Sequence, residues 1–67
     1  MMNHYFFVSV KDTNQSIVSN LHIYPDDKSA IDMISSVRSV AEKLGHKILF
    51  LDIYKICGDV TERIYHE

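Results

Sequence analysis

The chain has 67 residues, seven basic and nine acidic, for a net charge of −2 with histidine neutral. That is one domain, 1–67, and at this length a single core rarely supplies more than about 3–5 kcal/mol. The lone cysteine, Cys57, excludes an internal disulfide, and His4, His22, His46 and His66 lack the close spacing of a structural zinc site, so association is the device left to stabilise so small a fold.

Met1 to His4 runs directly into a strand-like segment, without the basic flank and apolar stretch of an export signal. Nothing approaches the ~20 apolar residues of a membrane span. An unpaired cysteine without an export signal fits a reducing cytoplasm, and no membrane partner is expected. Asn14, Gln15 and Ser16 spell a glycosylation acceptor, which has no consequence in that compartment.

Tyr5–Val10 and Ile17–Tyr24 are dense in aromatic and β-branched residues, and the polar residues 11–16 between them favour a turn, which predicts a β-hairpin. Setting Val10 opposite Ile17 puts Val8 opposite Ser19, Phe6 opposite Leu21 and His4 opposite Ile23 on one side. Tyr5 against His22 and Phe7 against Asn20 then fall on the other.

Pro25 closes the second strand, and Asp26 or Asp27 can cap a helix and complement its positive end. Ala30, Ile31, Met33, Ile34, Val37, Val40, Ala41 and Leu44 recur at three- and four-residue spacing up to Gly45, a suitable terminator. The resulting rod is ~27 Å long and its ~10 Å width spans about two strands. Its polar side, including Ser29, Ser35, Ser36 and Ser39, reads as a solvated surface.

Lys47–Cys57 is apolar on both sides and therefore central. A helix between the second and third strands favours the spatial order 2-1-3, with strand one antiparallel to both neighbours. The tail has two solutions. Gly58 and Asp59 can make a two-residue hairpin turn pairing Cys57 with Val60, Lys55 with Glu62, Ile53 with Ile64 and Asp52 with Tyr65; alternatively a short helix starts at Asp59. The strand is favoured because it sets Lys55 opposite a carboxylate and extends the aromatic side with Tyr65. The expected fold is α+β: a three- or four-stranded, mainly antiparallel sheet with one helix packed on one face, in order ββαβ(β).

This arrangement predicts that the helix covers an aliphatic side built from Phe6, Val8, Val10, Leu21, Ile23, Leu49, Leu51 and Ile53. The aromatic side is then left uncovered, and Tyr5, Phe7, His22, Tyr24, Phe50, Asp52, Tyr54, Arg63 and Tyr65 are the candidate partner-binding residues. Aromatics also pack ordinary strand cores, so the tail or the first residues could cover some of them. Asp52 would pair with Arg63 or Tyr65, or anchor an interface.

No phosphate-binding glycine loop, nucleophile elbow or metal set occurs, so neither a catalytic residue nor a cofactor is expected. The chain reads as a non-catalytic protein-binding module, forming a homodimer or docking on another protein. A short acidic domain of this kind also has the profile of inhibitors encoded by phages or mobile elements, including host-defence inhibitors. The alternative is a platform on which single-stranded nucleic acid stacks. Nucleic acid is disfavoured because Lys11, Lys28, Arg38, Lys43, Lys47, Lys55 and Arg63 form no run and only Arg63 can be placed on the aromatic side.

Overall fold

The computed structural model describes residues 3–12 and 15–67. Thr13 and Asn14, in the expected first turn, lie outside the described residues, as do Met1 and Met2. The chain forms β1 (Asn3–Asp12), β2 (Gln15–Val18), β3 (His22–Tyr24), α1 (Asp27–Asp32), α2 (Ile34–Lys43), β4 (Phe50–Cys57) and β5 (Val60–His66). This is an α+β domain with a five-stranded antiparallel sheet in the order β2-β1-β4-β5, β3 also pairing with β1. The second expected strand is thus divided into β2 and β3, and the expected order around a central first strand holds.

The division has a local cause. His4 pairs with Ile23 and Tyr5 with His22, as the alternation predicts, but Ile17 pairs with Ser9 instead of Val10. The extra residue is absorbed near Ser19, whose backbone N–H donates to the Phe7 carbonyl at 2.9 Å and whose Oγ accepts the Phe7 N–H at 2.9 Å. A hydroxyl here does part of the work of the interrupted ladder.

The helix begins where expected. Asp26 Oδ1 accepts the Ser29 N–H at 2.8 Å, and Asp27 adds a negative charge to the first turn. At Met33 the helix passes from α1 to α2. It ends at Gly45, whose φ of +85° few other residues adopt. Gly45 N–H donates to the Glu42 carbonyl and His46 N–H to the Ala41 carbonyl, the paired bonds of a Schellman motif.

The tail is a strand. Cys57 pairs with Val60 and Lys55 with Glu62 as predicted, but an irregularity between Ile53 and Tyr54 sets Tyr65 opposite Ile53 and His66 opposite Asp52. Ile64 is the additional residue, and both it and Tyr65 pack against the core.

The helix covers the expected side of β4 but the opposite side of β1 from the one expected. The core beneath it contains Tyr5, Phe7, Ala30, Ile48, Leu51 and Ile53. Leu51 and Ile53 belong there as predicted, whereas Phe6, Val8, Val10 and Ile23 point away from the helix. Register explains the exchange: β1 and β4 pair Phe7 with Ile53 and Phe6 with Tyr54, so odd positions of both strands share the covered face. A one-residue slip between two strands transfers every side chain of one to the other face.

Candidate interaction face

The sheet surface away from the helix is built by the even positions of β1 and β4. His4 lies opposite Ile56, Phe6 opposite Tyr54, Val8 opposite Asp52 and Val10 opposite Phe50. On the neighbouring strands, Val18 pairs with Val8 and Ile23 with His4, while Arg63 pairs with Tyr54 and His66 with Asp52. At the centre the Phe6 and Tyr54 rings stack with centroids 5.2 Å apart and planes inclined by 12°. Around them Phe50 is 52 % exposed, Ile23 57 % and Val18 61 %. Apolar groups predominate, and no element of the described residues covers them.

Charge on this face is sparse and of both signs. Asp52 is largely enclosed and its carboxylate meets Nδ1 of the exposed His66. This replaces the pairing with Arg63 or Tyr65 expected for Asp52, because the irregularity in β5 moves His66 into register with it. Arg63 makes no ion pair among the described residues and stands exposed beside Tyr54. Lys55 points to the covered face, where its Nζ lies 3.2 Å from Asp27 Oδ1.

The nine residues expected to form one surface therefore divide. Phe50, Asp52, Tyr54 and Arg63 do come together on the uncovered face. Tyr5, Phe7, His22, Tyr24 and Tyr65 are instead on the helix side, where their rings build or border the core. Tyr5 is fully buried, and its hydroxyl donates to Asp27 Oδ1 at 2.7 Å. The Phe7 ring meets His22 and Tyr24 edge-on, with centroids 5.6 and 6.5 Å away. The uncovered-face residues that sequence alternation assigned to the core are Phe6, Val8, Val10 and Ile23. Their mutual grouping was visible in the period-two pattern; which side the helix would choose was not.

No family model matches the chain, and neither a curated protein nor a solved structure matches it.

The Asp52–His66 pair is the arrangement closest to acid–base machinery, but it stands on an open sheet without a neighbouring nucleophile or enclosing cleft among the described residues. Cys57 is a free, exposed thiol at the turn. Among the described residues no three or more His, Cys, Asp or Glu side chains are grouped to hold a metal ion, and no helix is long and apolar enough to cross a membrane. What the face can do chemically is bury rings and aliphatic groups against a complementary apolar surface, and Asp52, paired with His66, and Arg63 are charged groups it carries.

Proposed function

We propose that the chain is a non-catalytic protein-binding module, acting in the cytoplasm, that self-associates through the uncovered face. The single observation carrying this is the stacked Phe6–Tyr54 pair within a surface where Phe50, Ile23 and Val18 are more than half exposed. A second copy is the favoured occupant because the face carries one charged group of each sign, Asp52 beside His66 and Arg63, unpaired among the described residues, which a two-fold arrangement would let face one another across the interface.

Size is compatible as well. The molecule measures 34 × 21 × 18 Å, which limits a face to on the order of 700 Å², close to the ~800 Å² per partner of a standard interface. Burial there would also supply the stability that a 67-residue chain without disulfides needs. The same surface would serve a steric inhibitor or regulator of the kind mobile elements encode, by occupying a partner's apolar site. Stacking of single-stranded nucleic acid on Phe6 and Tyr54 is disfavoured by Asp52 and by the scarcity of cations around the rings.

Light scattering on wild type, Phe50→Glu and Phe7→Glu tests this. Wild type is expected at twice the 7.8 kDa protomer mass, Phe50→Glu as a folded monomer, and Phe7→Glu unfolded. A folded wild-type monomer at high concentration overturns self-association. Unfolding of Phe50→Glu would return that ring to core packing, and salt-dependent binding of an oligothymidylate would favour nucleic acid.

A further inference from the structure

The uncovered face carries two histidines. His66 lies near the end of β5 opposite Asp52, and His4 stands on β1 between Ile23 and Ile56. Both are exposed, so both belong to the surface that self-association would bury. Histidine is the side chain that ordinarily changes charge between about pH 5 and 8.

With neutral histidines the charge of the described side chains on this face is balanced, the Asp52 carboxylate against the Arg63 guanidinium, which makes no ion pair among the described residues. Other charges near β5 are engaged elsewhere. Glu67 pairs with Arg38 of α2, Lys55 with Asp27 of α1 on the covered face, and Glu62 shares the Lys55 row. Asp12 ends β1 four residues beyond Val8, ~13 Å along the strand from the Asp52 row.

The two members of the Asp52–His66 contact differ in access to water: the Asp52 side chain is 15 % exposed and that of His66 59 %. The carboxylate needs a cation, while the imidazole can take a proton from solvent. Neutral His66 leaves the charge of Asp52 available to Arg63 of a second copy. Protonated His66 claims that charge within its own protomer through a charge-assisted contact, and the second copy's Arg63 then meets a cation. His4 adds a further positive charge among apolar neighbours.

We infer that protonation of His66, together with His4, releases the second copy, so that the face associates at neutral pH and dissociates on acidification. This rests on self-association through the uncovered face. Once both histidines are charged, each protomer brings two positive charges beyond the Asp52–Arg63 balance into a surface being taken out of water, where like charges oppose contact.

Sedimentation equilibrium at about pH 8 and about pH 5.5, at one ionic strength and with circular dichroism reporting the fold, reads the dissociation constants on either side of the histidine range. The wild-type constant is expected to be at least about tenfold larger at the lower pH. His66→Gln should remove most of that ratio, and the His4→Gln, His66→Gln double variant nearly all of it. His66→Lys, charged at both pH values, should be weak at both. His22→Gln, on the helix side, should keep the ratio.

A wild-type dimer equally tight or tighter at the lower pH overturns the inference and leaves self-association standing. So does a ratio that survives in the double variant or is lost in His22→Gln. Wild type monomeric at both pH values overturns self-association itself, and this inference with it. Loss of the circular dichroism signal at the lower pH would assign dissociation to unfolding, and equally overturn it.

Discussion

Tyr5 carries its ring into the core and its hydroxyl to the start of the helix, joining β1 to α1; Lys55 extends the link to β4 through the same Asp27 oxygen. The accepted Tyr5 hydrogen bond, with a contribution from Lys55, holds the Asp27 carboxyl below its ordinary 3.8 despite the opposing effect of burial. Burial first, and then Asp27, push the Tyr5 phenol above 10.0. A carboxylate whose pKa is lower folded than unfolded stabilises the fold above the unfolded value, and that contribution is lost as pH falls through the folded one. A raised phenol has the opposite sense: its contribution is present below pH 10.0 and lost as pH rises through the folded value. Tyr5→Phe is therefore expected to cost about 1 kcal/mol at neutral pH. It should also flatten the fall in stability below pH 3.8, measured as urea midpoints across a pH series. An unchanged acid limb would show that the link does not contribute to folding. Asp27 and Lys55 were visible in the sequence as charges, but their meeting with Tyr5 depends on residues 22 to 50 positions apart being brought together.

The elements begin and end where backbone chemistry demands it. Both described glycines lie at positive φ, Gly45 at +85° and Gly58 at +59°, and a Cβ at either would meet no heavy atom within 4 Å. The cost of Gly45→Ala is then conformational alone, about 1–2 kcal/mol, and Gly45→Asn should cost less because asparagine tolerates the left-handed region. Chemical denaturation of the two variants checks both magnitude and order; equal losses would indicate a different cause. At Gly58 only the first central residue of the turn has positive φ, the pattern of a type II′ turn, for which glycine at that position is the sequence signal. The hairpin was legible for this reason, down to the Cys57–Val60 and Lys55–Glu62 pairs. The irregularity that brings Tyr65 opposite Ile53 was not, because it answers to the core packing of Ile64 and Tyr65 and not to any local turn signal.

For the whole molecule the decisive relation is between β1 and β4. A dimer formed through their uncovered face would bind folded chains and not unfolded ones, so the melting temperature of wild type should rise with protein concentration. Phe50→Glu should melt at a concentration-independent temperature; calorimetry over a hundredfold dilution reads the difference, and a wild-type midpoint independent of concentration would count against the dimer. From the sequence alone, the period-two and period-three-to-four patterns, the Asp26 cap and Gly45 indicated the sheet, the helix, the order around the first strand and the presence of one sheet face that a single helix leaves open, while the tail stayed open between strand and helix and the division of the second strand was not visible. The identity of that face belonged to tertiary structure. Both alternating sets of β1, Tyr5 with Phe7 and Phe6 with Val8 and Val10, are apolar, and so are both sets of β4, so hydrophobicity is nearly degenerate between the two registers. The observed register places Tyr5, with its hydroxyl satisfied by Asp27, and Phe7 beneath the helix, and leaves Phe6, Tyr54 and Phe50 on the surface.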